Sequence, residues 1–268
     1  MPSSQLIAQF LPYLRRYARA LTGSQGSGDA YVVATIEAVL REPELIGGAA
    51  KPRVALFRLF SSIWNSLAVN GMSDPLDTGA TALDRRLVHI TPRPRQAFLL
   101  IALEGFSETE AAAILGVDVA ALRQLVEDAG REMAAQIATD VLIIEDEMLI
   151  ATDLETLVEG LGHQVAGVAR THKEATTLSK ARRPGLILAD IQLADGSSGM
   201  DAVNELLTSF EIPVIFITAY PERFLTGERP EPAFLLTKPF QPAMVSAVIS
   251  QALFFERNAV RRERGSVP

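Results

Sequence analysis

Four apolar runs in the second half of the chain each end in side chains able to do chemistry. Val141-Leu142-Ile143-Ile144 leads into Glu145-Asp146-Glu147, and Leu186-Ile187-Leu188-Ala189 into Asp190. Val214-Ile215-Phe216-Ile217 leads into Thr218, and Phe234-Leu235-Leu236-Thr237 into Lys238-Pro239-Phe240. Runs of branched apolar residues suit parallel strands buried on both faces. Their C-terminal ends share one edge of the sheet, where open α/β folds hold ligands. Acids crowded there repel one another and invite a divalent cation. The set is coherent as phosphoryl transfer to a carboxylate, which needs positioning and charge neutralisation more than covalent help. Asp190 is the candidate nucleophile. Glu145, Asp146 and Asp190, with the backbone carbonyl of Gln192, are the candidate ligands of Mg2+. Thr218 offers a hydroxyl to a phosphoryl oxygen, Ala219 leaves access beside it, and Lys238 supplies a point charge that a cis bond before Pro239 would help aim.

The elements needed to position these residues are legible from Asp140 onward. Strands are expected at 141–144, 164–169, 186–190, 213–217 and 233–236. Helices are expected near 148–161, 172–182 and 199–209, with a short one near 220–225 and an amphipathic one from Pro242 to about Arg257. Alternating strands and helices predict a doubly wound, five-stranded parallel sheet with helices on both faces. The Arg261–Pro268 tail is expected to fray. Gly196-Ser197-Ser198-Gly199 lacks the lysine of a phosphate-binding P-loop and is expected to border the Asp190 site.

The first 139 residues contain no convincing strand and predict an all-α half built of two helical lobes. Leu6, Phe10, Leu14, Tyr17 and Leu21 recur at helical spacing up to Gly23, and Asp29 precedes a second series through Val33, Ile36 and Val39. Pro52 opens a third helix carrying Phe57, Phe60 and Trp64, read as core residues. A linker is expected at 71–80, then a short helix through Leu83, Leu87 and Val88. Pro92 to Arg95 start a further helix that ends at Gly105. Ser107 with Glu110 forms a capping-box pattern, Gly116 a turn, and Asp118 a cap for a helix from Val119 to about Ile137. Two short helices about a Gly-containing turn have helix-turn-helix shape. The expected organisation is therefore a lobe at 1–70, a linker at 71–80, a lobe at 81–138, an α/β domain at 139–258 and a flexible tail at 259–268.

Composition narrows the function. The chain of 268 residues is 48% hydrophobic, has no cysteine and carries a formal charge of −7. That excludes a thiolate site or a disulfide frame. No apolar run is long enough to span a membrane and Met1 to Gln5 lack signal-peptide character, so a soluble, cytoplasmic protein is expected. Residues 1–139 hold 13 Lys+Arg against 14 Asp+Glu, and 140–268 hold 12 against 18. Neither half has the basic excess that gripping phosphates requires. In the second helix of the helix-turn-helix, Arg123 and Arg131 face Glu127, Asp128 and Glu132, which is unfavourable for reading DNA. His89, His163 and His172 show no metal-ligand spacing.

The constellation of Glu145, Asp146, Asp190, Thr218 and Lys238 resembles the receiver domain of two-component response regulators over roughly Val141 to Phe255. That resemblance implies a phosphoryl group received on Asp190 from a histidine kinase or phosphotransferase. Many receivers carry an aromatic switch residue three positions before the lysine, where this chain has Leu235; Phe234 lies one earlier, and Tyr220 is a candidate substitute. In the first half, Leu11 to Gly23 is similar to the start of region 2 of extracytoplasmic-function sigma factors, and Leu87 to Met133, with Pro94-Arg95-Gln96-Ala97 and Glu104-Gly105-Phe106-Ser107, to region 4.

A sigma-like half followed by a receiver, together with Ile217-Thr218-Ala219-Tyr220-Pro221-Glu222-Arg223 and Leu225 to Pro230, resembles the PhyR family of general-stress regulators. The resemblance implies an anti-anti-sigma factor. Phospho-Asp190 would expose the sigma-like half, which would sequester a NepR-type anti-sigma factor and release the true sigma factor. No direct promoter binding and no membrane contact are expected. Two other readings share parts of this sequence: a DNA-binding two-component transcription regulator, and a phosphatase working through an aspartyl phosphate.

Overall fold

A computed structural model describes residues 7–70, 92–134, 138–193, 198–208, 212–227 and 231–265. The linker expected at 71–80, the helix expected through Leu83, Leu87 and Val88, His89, Gly196 and Ser197 lie outside these residues. The chain divides into two compact units, Met1–Arg131 and Glu132–Pro268.

The first unit is helical throughout its described residues. Helices α1 (Leu11–Thr22), α2 (Gln25–Arg41), the single turn α3 (Glu44–Gly47) and α4 (Pro52–Asn70) come first. Then follow α5 (Arg93–Ala102), α6 (Glu108–Leu115) and α7 (Val119–Ala134). Gly23 ends α1 with φ 64°, the left-handed conformation glycine adopts without cost. α2 starts earlier than the apolar pattern indicated. Its N-cap is Ser24, whose hydroxyl accepts from the Ser27 N–H, and Asp29 lies inside the helix. There Asp29 pairs with the fully buried Arg19, at 3.0 and 2.8 Å. A Cβ on neighbouring Gly28 would lie 2.8 Å from the Arg19 backbone nitrogen, so this glycine permits the close approach of α1 and α2. Tyr17, Phe57, Phe60 and Trp64 are core residues, each 2% exposed or less.

The helix-turn-helix forms as its caps dictate. Ser107 accepts from the Glu110 N–H while the Glu110 carboxylate accepts from the Ser107 N–H, and Gly116 turns the chain with φ 65°. Asp118 accepts from the Ala121 N–H at 2.7 Å and so caps α7.

The second unit is a five-stranded parallel sheet in the order β2-β1-β3-β4-β5. Its elements are β1 (Asp140–Ile144), α8 (Met148–Gly160), β2 (Gln164–Ala169), α9 (His172–Ala181) and β3 (Leu186–Asp190). They continue with α10 (Gly199–Leu207), β4 (Val214–Thr218), β5 (Phe234–Thr237) and α11 (Pro242–Gly265). Val141 to Ile144 and Leu186 to Ala189 are fully buried because both faces of the sheet are covered. Leu142, Ile144, Ile187 and Ala189 pack with Ala175 of α9 and Ala202, Val203 and Leu206 of α10. α8 lies beside α11.

Two expected elements of this unit differ. The helix expected near 220–225 is only a 3₁₀ turn, Pro221–Arg223. Pro221 suits the first turn, and the chain leaves the turn at Phe224, whose N–H donates to the Pro221 carbonyl. The last helix runs to Gly265 rather than stopping near Arg257, so residues 259–265 continue the backbone helix where fraying was expected. Arg and Glu are good helix formers even where no apolar stripe remains.

His163, 7% exposed, accepts from the Thr139 N–H through Nδ1 at 3.3 Å. Burial pushes its imidazole below its ordinary value of 6.5, so the folded state favours the neutral ring. The stability it contributes is present above 6.5 and is lost as pH falls through the lower folded value. Thermal melts of the chain between about pH 7.5 and about pH 5.5 are expected to show a steeper loss than those of His163→Gln, which can accept but not titrate.

Candidate functional site

β1 and β3 are adjacent in the sheet, and the chain leaves β1 toward β2 on one side and returns to β3 on the other. This is the point where the connections diverge and open a crevice at the C-terminal edge. Glu145 and Asp146 follow β1, and Asp190 ends β3, so the three acids stand across that crevice. Each offers a carboxylate oxygen, and these atoms all lie within 4.8 Å of one another. Hard oxygen donors at this spacing, on rigid strand ends, fit a divalent cation that retains waters.

Asp190 is 7% exposed. One carboxylate oxygen accepts from the Gln192 N–H at 3.1 Å, and the other is 2.6 Å from the Lys238 ammonium. Lys238 also lies 2.8 Å from the Glu145 carboxylate and 3.7 Å from that of Glu147. Glu145 has a fully buried side chain. Burial pushes its carboxyl above the usual range, against the opposing pull of Lys238, and the Asp190 charge adds to the rise. For Lys238 burial disfavours the charge, but hydrogen bonds and the negative charges of Asp190 and Glu145 outweigh it and raise its pKa. The Lys238–Pro239 peptide is cis.

Thr218, 3% exposed, ends β4, and its hydroxyl oxygen accepts from the Tyr220 N–H at 3.1 Å. β4 pairs with β3 on one side and β5 on the other, and the Lys238 N–H donates to the Thr218 carbonyl at 2.8 Å. Asp190, Thr218 and Lys238 are thus carried on three successive strands. Gln192 is exposed and bridges Ser198 across the loop that follows Asp190. Leu235, at the position where many receivers place an aromatic residue, is buried at 2% exposure. Phe234 is also buried, 6.2 Å from the Phe255 ring, whereas Tyr220 is 47% exposed with the Arg223 guanidinium 4.8 Å from its ring.

Two contacts refine the expectations for Glu147, part of the acidic run after β1, and for Gly199, part of the loop expected to border Asp190. Glu147 joins the carboxylates around Lys238, a contact that depends on how the chain turns after β1. Gly199 opens α10 so close to Asp190 that a Cβ there would stand 1.8 Å from the Asp190 carbonyl oxygen. No spacing rule identifies such an approach, because it arises between a strand end and the next helix across a loop.

In the first unit, the helix-turn-helix has both of its second-helix arginines engaged by acids. Arg123 lies 2.8 Å from Glu108, and Arg131 pairs with Asp128, which also accepts from Gln124 at 2.9 Å.

Residues 7–61 match the family described as the Sigma2 domain of PhyR, and residues 87–136 the sigma-like domain of response regulator PhyR. Residues 141–250 match the response regulator receiver domain. Over 264 residues the chain is 67% identical to the phyllosphere-induced regulator PhyR of Methylorubrum extorquens, covering 98% of each. The chain belongs to the PhyR family. Among solved family structures, the response regulator PhyR from Brucella abortus is 52% identical with TM-score 0.88, covering 100% of both chains. The anti-anti-sigma factor PhyR from Bartonella quintana is 53% identical with TM-score 0.86, covering 97% of this chain and 99% of that one. The Bartonella protein has also been solved complexed with the anti-sigma factor NepR, matching at 53% identity over 94% of this chain and 99% of that one, TM-score 0.40. Among the described residues no helix is long and apolar enough to cross a membrane.

Proposed function

We propose that this PhyR-family chain is a phosphorylation-controlled anti-anti-sigma factor of a general stress response, acting in the cytoplasm. One observation carries the reading: a carboxylate crevice centred on Asp190 and Lys238 shares a chain with a sigma-like half whose candidate recognition arginines are already bound to acids.

A histidine kinase or phosphotransferase is the phosphodonor. A carboxylate oxygen of Asp190 attacks phosphorus as the donor's P–N bond breaks, and the imidazole leaves with the bonding pair. Glu145, Asp146, Asp190 and the Gln192 carbonyl would hold Mg2+, which supplies positive charge to the phosphoryl oxygens when bound. Lys238 stands 2.6 Å from the Asp190 carboxylate, ready to pair with a phosphoryl oxygen instead. The Thr218 hydroxyl turns from the Tyr220 N–H toward that oxygen. Tyr220, exposed with the Arg223 guanidinium over its ring, is then the exposed aromatic group two positions after the displaced hydroxyl. Phosphorylation exposes the sigma-like half, which captures a NepR-type anti-sigma factor and frees the true sigma factor.

The test is co-purification of the full chain with a NepR-type anti-sigma factor, with and without beryllofluoride and Mg2+. Capture that strengthens with the phosphoryl mimic is the expected result. Capture indifferent to it sinks the switch, and sequence-specific promoter binding by the purified chain would favour a DNA-binding regulator instead.

A further inference from the structure

Where the two helical lobes of the first unit meet, one buried carboxylate is held by arginines of the other lobe. Glu104, just beyond α5, has a fully buried side chain. Arg16 of α1 grips it with two parallel bonds, Nε to one oxygen at 3.0 Å and Nη2 to the other at 3.1 Å. The same Nη2 donates to the Leu103 carbonyl at 3.0 Å. Arg53 of α4 reaches the second carboxylate oxygen at 3.2 Å and the Glu104 carbonyl at 2.8 Å. The Arg53 guanidinium also lies 4.2 Å from the Phe106 ring centre and 5.5 Å from that of Phe57, and these two rings meet at 4.9 Å. Tyr17 is fully buried beneath, and burial, with the Glu104 charge adding to it, raises the phenol pKa. At the rim Lys51 pairs with Glu110 at 2.8 Å.

Apolar packing alone would join two lobes loosely in orientation, since it is non-directional. Two cations and one carboxylate cost desolvation, and their forked geometry is satisfied in only one placement of the lobes. We propose that Arg16, Glu104 and Arg53 form a lock that holds the two lobes in a single arrangement, and that this preorganised arrangement sets the affinity of the sigma-like half for its anti-sigma partner. A surface already ordered before binding spares the complex the ordering cost. The proposal rests on the anti-sigma reading above; Glu104 acts as a positioning residue and not as a contact.

The chain has no cysteine, so Val33→Cys on α2 and Glu127→Cys on α7 take spin labels without competition. Both positions are exposed, one on each lobe. Pulsed electron resonance on the full chain is expected to give one narrow distance distribution, and Glu104→Gln, which keeps the shape and removes the charge, a broad one. In the unlabelled chain loaded with beryllofluoride, Glu104→Gln is expected to weaken capture of a NepR-type anti-sigma factor about tenfold or more, while beryllofluoride loading of Asp190 is unchanged. A narrow distribution in Glu104→Gln overturns the lock. A broad one with unchanged capture overturns its role in affinity. If Glu104→Gln loses helical ellipticity, Arg53→Lys, which keeps the charge but gives up the planar fork, is judged by the same two measurements. Failure of the parent chain to capture the partner would count against the functional reading, while the distance measurement still decides the lock.

Discussion

Asp190→Ala is expected to abolish phosphoryl incorporation from acetyl phosphate or a phosphohistidine donor, and with it the gain in anti-sigma capture on adding beryllofluoride. The loss should be complete rather than partial. Asp190 is the acid at the crevice that ends a strand, is nearly buried, and has one oxygen on the Gln192 N–H and the other on Lys238. Asp146 and Glu147 lie on the loop after β1 and Glu145 is fully buried, so none can take its place in line with the donor. The variant is expected to keep its fold, because Glu145, 2.8 Å from Lys238 in the parent chain, still balances that charge. Turning a two-state equilibrium from about 1:99 to about 99:1 takes about 5.5 kcal/mol of differential interaction, and in the proposed switch the phosphoryl group is the source of it. Phosphate incorporation read by gel retardation, beside capture with and without the mimic, checks both parts. Asp190→Asn, isosteric and equally unable to be phosphorylated, should behave the same; residual stimulated capture in both variants would remove Asp190 from the switch.

Lys238→Ala should have the second largest effect, on stability as well as on signalling. It removes the one cation, among the described residues, that lies against Glu145, Glu147 and Asp190. Breaking a buried pair by deleting one partner costs about 3–5 kcal/mol, because the remaining charge is left uncompensated. With Lys238 only 13% exposed and the Glu145 side chain fully buried, about 3 kcal/mol is expected for the receiver-like unit at neutral pH without divalent ions. The pH dependence has a definite sign. The Glu145 carboxyl is already raised above 4.5, and without Lys238 it rises further, so the folded variant binds more protons than the unfolded chain. Its stability is therefore greatest in acid and falls as pH rises through the folded value. Urea titrations at about pH 5 and about pH 7.5 should show the variant closer to the parent at the lower pH. Adding Mg2+ should restore part of the loss at the higher pH, since a divalent ion between the same carboxylates replaces the missing charge. An equal loss at both pH values, unaffected by Mg2+, would mean that Lys238 matters for packing alone.

The sequence determined the strands and which polar side chains follow them. Val141 to Ile144 and Leu186 to Ala189 could be read as buried parallel strands because short apolar runs rich in branched residues suit a sheet covered on both faces, and the structure places both at zero exposure. The residues that follow such strands must lie on one edge, so Glu145, Asp146, Asp190, Thr218 and Lys238 were legible as a group. The caps at Ser107, Gly116 and Asp118 were legible for the same local reason: each satisfies backbone groups within four residues of itself.

Tertiary structure decided what local pattern cannot encode. The pairing of buried Arg19 with Asp29, which lies inside α2 rather than before it, joins two separate helices. The strand order that sets Asp190 beside the acids after β1, the grip of Lys238 on Glu145, and the approach of Gly199 to the Asp190 carbonyl all depend on how separate elements stack. Arg16 and Glu104 stand 88 positions apart, and nothing in either neighbourhood announces the other. Local sequence fixes which groups are exposed to a strand end or a helix face; the pairing of buried charges is settled only when packing removes water and brings charges from separate elements within reach of one another.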